Sequence, residues 1–77
     1  MAYVAKIDKE SAEEIISHIK ENYGGMNGLG HRYSISCTFI TFTWDSKTGV
    51  AEIYSNFSGD DVLDYLPDGW SDFFEKK

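Results

Sequence analysis

The sequence predicts a small α+β domain with elements in the order β-α-β-β-α, a three-stranded, mainly antiparallel sheet and helices packed on one face. Three observations carry that expectation. Apolar residues recur at helical spacing between Ala12 and Tyr23. A run from Arg32 to Trp44 is dense in Tyr, Ile, Thr, Phe and Trp, the residue types that suit a pleated, half-buried surface. A turn sequence, Asp45-Ser46-Lys47-Thr48-Gly49, joins that run to a second alternating stretch beginning at Val50. Without repeats, low-complexity tracts or linkers, these patterns fit two packed layers around one core. The 77 residues suffice for one globular domain, residues 1–77.

Ala2 to Ile7 reads as a short strand with Tyr3, Ala5 and Ile7 on one face. The helix follows. Ser11 and Glu14 have capping-box spacing, and Asp8 is the alternative start. Ala12, Ile15, Ile16, Ile19 and Tyr23 fall within an arc of about 100°. Gly24-Gly25 ends the helix, because glycine accepts the left-handed backbone of a C-cap. The glycine-rich stretch from Gly24 to Gly30 is then a loop.

The strand pattern from Arg32 to Trp44 changes phase. Tyr33, Ile35, Cys37 and Phe39 are apolar at odd positions, and Ile40, Phe42 and Trp44 at even ones. A regular strand alternates faces strictly, so a bulge near Thr38 to Thr41 is the favoured explanation, with two partly covered faces as the other. The turn at Asp45–Gly49 sets a register in which Asp45 faces Val50. Phe42 then faces Ile53, Trp44 faces Ala51, Thr43 faces Glu52 and Thr41 faces Tyr54. Ser58-Gly59-Asp60-Asp61 reads as the start of a short helix through about Leu66, broken by Pro67 and Asp68-Gly69. Trp70 to Glu75 reads as a last turn, with Phe73 and Phe74 packing back.

Composition narrows the function. Twelve residues are aromatic, enough to build a core in so short a chain without staples. Cys37 stands alone, which excludes an intrachain disulfide. The N-terminal residues lack a basic, apolar leader, and no apolar run approaches a membrane span. A reducing, cytoplasmic setting is therefore expected, the host cytoplasm if the chain is phage-encoded. Thirteen acidic residues against seven basic ones give a formal charge of −6. That field repels phosphate backbones and anionic lipid, so direct nucleic-acid and membrane binding are not expected.

The motifs that would carry chemistry are missing. The glycine-rich stretch follows a helix and precedes a strand, so it faces carbonyl ends. A phosphate loop needs the opposite order. His18, His31 and Cys37 lack the paired spacing of metal ligands. His18 lies four residues after Glu14, the spacing of a surface pair, and Cys37 reads as buried and inert. No nucleophile elbow or comparable signature is present, and a chain this short has little room for a water-excluding pocket. The expectation is a protein that is not an enzyme and uses no cofactor or metal.

The acidic residues form two groups. Glu10, Glu13, Glu14 and Glu21 occupy an arc of about 100° opposite the helix's apolar face. Acids near a helix N-terminus are favourable in themselves, which accounts for Glu10, Glu13 and Glu14 but not for Glu21 in the last turn. Asp60, Asp61, Asp64, Asp68 and Asp72 form the second group, and no lysine or arginine interrupts residues 48 to 75. Trp70 lies inside that second group. Trp and Tyr among charges are typical interface anchors, although a small core could equally claim Trp70.

The expected function is an inhibitor or adaptor that docks on a basic, nucleic-acid-binding surface of a partner protein. In its sharper form, spaced carboxylates stand in for phosphates. Small acidic phage proteins that block host defence nucleases, such as anti-CRISPR and anti-restriction proteins, are the class-level analogy. The alternative is an accessory or self-associating module that uses an exposed sheet face bearing Thr41, Thr43, Glu52 and Tyr54. A small hydrolase or transferase is the third reading.

Overall fold

Strand β1 (Ala2–Lys6) alternates as its sequence implies, turning Tyr3 and Ala5 toward the core, with Ile7 following. The computed structural model describes residues 2–27, 33–57 and 61–77. Helix α1 (Lys9–Tyr23) begins at Asp8, whose carboxylate accepts the Ser11 backbone N–H at 2.8 Å. Asp8 is thus the N-cap and Ser11 already lies in the first turn, so the alternative start holds. Ala12, Ile15, Ile16 and Ile19 are buried, while Tyr23, in the final turn, is half-exposed. Gly24 ends the helix with φ 75° and ψ −152°. That is an extended mirror-image conformation rather than the left-handed helical one, and it is essentially glycine's alone.

Gly25 then passes close to the sheet. A Cβ there would sit 2.8 Å from the Ser36 carbonyl oxygen, on a backbone with φ +110°. This close approach lets β2 (Met26–Asn27) pair with β3 (Ser34–Ser36), so part of the expected glycine loop is strand. Gly28 to Arg32, including His31, lie outside the described residues.

No bulge interrupts the aromatic run. It folds back on itself as two antiparallel strands, β3 and β4 (Ile40–Trp44), around Thr38 and Phe39. Ile35 faces Phe42, and backbone bonds set Tyr33 against Trp44 and Cys37 against Ile40. Across a two-residue turn, odd positions pair with even ones and point to the same face. The phase change is the mark of that turn. Among the described residues no non-glycine has positive φ, Thr38 and Phe39 included, so this is not one of the primed turns that suit strand twist unaided. Asn56 holds it from outside. Its amide donates to the Cys37 carbonyl at 2.8 Å, its backbone N–H to the Phe39 carbonyl at 2.8 Å, and its side-chain oxygen accepts from the Thr41 hydroxyl at 2.7 Å.

The hairpin from β4 to β5 (Val50–Ser55) has the predicted register throughout, from Trp44 facing Ala51 to Thr41 facing Tyr54. β1 pairs antiparallel with the other edge of β5, and a two-residue strand, β6 (Glu75–Lys76), pairs with β1. The order is β2-β3-β4-β5-β1-β6. The expected three-stranded β-α-β-β-α arrangement is therefore wrong: the described residues form one α-helix and a five-stranded antiparallel sheet, β1–β5, extended by β6. Splitting of the aromatic run adds one strand. The others missed are two residues long, too short to show periodicity.

The second expected helix is a 3₁₀ turn, Val62–Tyr65, and the last turn is another, Ser71–Phe73. Pro67 and the Gly69 turn leave too few residues for α-helix hydrogen bonding, and short 3₁₀ pieces are the usual outcome. Residues 58–60 lie outside the described set. Both turns lie on the α1 side of the sheet, with α1 against β3 and Val62–Tyr65 against β5 and β1. The core between these layers is Ile15, Ile16, Ile19, Ile35, Ile40, Phe42, Ala51, Ile53, Val62, Leu66 and Phe74.

Two outcomes test this account. Asn56→Ala should lower stability by about 1–3 kcal/mol, because it strands carbonyls and the Thr41 hydroxyl together. A shifted urea midpoint at unchanged slope is the readout, and an unaltered midpoint contradicts the clamp. Gly25→Ala should cost more than Gly24→Ala. Both incur backbone strain of about 1–3 kcal/mol, but only Gly25 meets main chain, Gly24 having nothing within 4 Å.

Candidate acidic docking face

The carboxylates on α1 follow from helix geometry. Glu10, Glu21 and Glu14 lie within about 40° of one another around the axis, with Glu13 about 60° further round, and all four are exposed. In residues 61–74 the apolar side chains turn inward instead. Val62, Leu66 and Phe74 are buried, which leaves Asp61, Asp64, Asp68 and Asp72 exposed. Asp60 lies outside the described residues.

Two ties bring these groups together. The Trp70 indole N–H donates to the Glu14 carboxylate at 2.8 Å. Toward the helix C-terminus, the Tyr23 hydroxyl reaches the Asp64 carbonyl at 3.4 Å, and the Tyr23 and Tyr65 rings pack with centroids 4.6 Å apart. Glu14 and Tyr23 are about 13 Å apart along the helix. Residues 64–70 therefore run antiparallel to α1, and the two acidic groups meet where Trp70 bonds to Glu14. Eight exposed carboxylates are carried by these two neighbours. The cations of α1, Lys9 and Lys20, adjoin Glu13 within about 40° around the axis, on the flank away from Glu14, and the Lys9 ammonium sits 5.9 Å over the Tyr33 ring. The salt bridge found among the described residues, Lys77 to Glu52 at 3.2 Å, belongs to the opposite face of the sheet.

Trp70 is half-buried against the core, and its indole N–H is hydrogen-bonded to a surface carboxylate. Phe73 and Phe74 do not both pack back. Phe74 is 6% exposed and Phe73 is 65% exposed, with its ring 5.3 Å from that of Trp70. The backbone becomes extended at Phe74 on its way into β6, so the two neighbours point to opposite sides. Phe73 and Tyr23 are surface aromatics beside these acids that sequence reasoning missed. Only the register of residues 71–76 separates Phe73 from Phe74.

Other expected features are placed differently. Glu14 bonds to Trp70 rather than to His18, whose Nδ1 lies 3.3 Å from the Asn22 amide. Cys37 is half-buried rather than buried. On the far sheet face Thr41 is buried, its hydroxyl held between Ser36 and Asn56, so that face is less open than expected. Tyr54 lies there too, away from the acidic groups. Among the described residues, no three His, Cys, Asp or Glu side chains are grouped to hold a metal, and no helix is long and apolar enough to cross a membrane. Comparison with protein-family models, curated proteins and solved structures returns no match.

The cap of α1 yields a pH prediction. Hydrogen bonds from the Ser11 hydroxyl, and secondarily from its backbone N–H, hold the Asp8 carboxyl below its ordinary value of 3.8. A carboxylate with a depressed folded-state pKa contributes stability that is present above the unfolded value and lost as pH falls through the folded one. Thermal melts should therefore show Asp8→Asn losing less stability than the parent between pH 5 and about pH 2. Parallel pH profiles would contradict this.

Proposed function

We propose that the protein is a non-enzymatic binding domain that docks, through the α1 flank and residues 61–73, on a basic surface of a partner protein in a reducing cytoplasm. The supporting observation is that two acidic groups far apart in sequence, together carrying eight exposed carboxylates, are joined by the Trp70–Glu14 bond. Such a field steers a cationic partner and raises the association rate, while desolvated aromatics slow dissociation. A surface that normally cradles phosphates has the matching charge, so the sharper reading is an inhibitor that occupies a nucleic-acid-binding groove. Affinity capture from a lysate tests this with the parent and with a variant carrying Glu10→Gln, Glu14→Gln, Asp61→Asn and Asp64→Asn. The parent should hold a basic partner in a 1:1 complex that weakens at least about tenfold between low and high salt. The neutralised variant should lose it, and nucleic acid should compete. Affinity that ignores both salt and neutralisation would rule the mechanism out.

A second reading has its own support. The far sheet face balances Lys6 and Lys77 against Glu52 and Glu75 and also carries Ala2, Val4 and Tyr54. A face without net charge lets copies of an acidic protein approach, so self-association through the sheet is the alternative. Sedimentation distinguishes them: a stable dimer unaffected by the acidic substitutions favours the sheet.

A further inference from the structure

We propose that Trp70, Phe73 and Glu14 form a receptor for an arginine side chain of the partner, an inference that rests on the docking face above. Phe73 is 65% exposed, yet it is the final residue of a 3₁₀ turn, and its ring lies tilted at 52° against a ring that cannot swing freely. The Trp70 ring is held from two sides, by packing on the core and by its indole N–H bond to Glu14 Oε2. Little side-chain entropy remains to be lost when a ligand covers this pair.

The chemistry favours guanidinium. A cation over an aromatic face, within about 6 Å of the ring centre, is attracted by the ring quadrupole. The same carboxylate that accepts the indole N–H keeps further lone pairs for donors in the plane of a stacked cation. Arginine can stack and donate at once through its planar fork, whereas an ammonium is a compact, strongly hydrated point charge. Asp72, next to Phe73, adds negative potential. No Lys or Arg lies between Lys47 and Lys76; of the two lysines that follow Phe73, Lys77 is paired with Glu52 and Lys76 lies in β6. The Tyr33 ring shows the contrasting case, with Lys9 already 5.9 Å above it.

Oligo-arginine and oligo-lysine peptides of equal length are suitable probes, titrated at one low ionic strength. The Trp70 indole N–H resonance is the reporter. That of Trp44, bonded to the Ile7 carbonyl at 3.0 Å, is the internal control. The arginine peptide should bind about threefold or more tightly than the lysine peptide, shifting the Trp70 signal and leaving that of Trp44 in place. Phe73→Ala, and Phe73→Leu which keeps the bulk, should bring the ratio to about one with lysine-peptide affinity unchanged. Equal affinities in the parent, or a preference that survives both substitutions, overturn the arginine receptor while leaving the acidic docking face standing. Failure of both peptides to bind overturns the receptor and the docking face together.

Discussion

Everything in this fold hangs on one cross-strand row. Ile35, Phe42 and Ile53 lie side by side on β3, β4 and β5, fully buried, and Tyr3 of β1 continues the row. Slipping any strand by one residue would turn its member of the row to solvent and bring a Thr, Ser or Glu inward. The helical isoleucines, Val62 and Leu66 can pack only against a row in this register. Loss of Phe42 alone should remove about 3–5 kcal/mol, a large share of the stability of a domain this small.

The row also determines where charge can go. Because α1 and residues 61–74 fill their inward sides with Ile, Val, Leu and Phe, their outward sides are left to Glu and Asp. Both segments cover the same sheet face, so their outward sides adjoin. The acidic face follows from how the core is covered. The opposite sheet face, with short polar side chains and balanced charge, receives none of this surplus. In a protein of net charge −6, segregation of this kind leaves one side acidic and the other balanced in charge.

Polar detail completes the scaffold where apolar packing leaves off. Asn56 closes a turn whose own backbone is not suited to strand twist, and Asp8 supplies a helix start. The Trp44 indole fastens the end of β1 through the Ile7 carbonyl, much as the Trp70 indole fastens residues 61–73 to α1. Each bond is modest alone, about 0.5–1.5 kcal/mol. All but the local Asp8 cap join elements far apart in sequence, and the two indole bonds tie β1 and residues 61–73 to their neighbours.

The helix, its apolar face, the β4–β5 hairpin and its register were legible in the residues, because each depends on local period or on a short turn. The acidic groups were legible too, as stretches of sequence. The two-residue strands β2 and β6 were not, since pairing defines them and a pair of residues has no period. The fold-back at Thr38–Phe39 left a trace in the phase change, but a bulge leaves the same trace, and only the pairing of Ile35 with Phe42 separates the two. The contact of Glu14 with Trp70 and the outward turn of Phe73 were decided by tertiary structure alone. Sequence determines which side of an element is apolar. Which elements become neighbours depends on how their apolar sides share one sheet, and that sharing is a property of the whole chain.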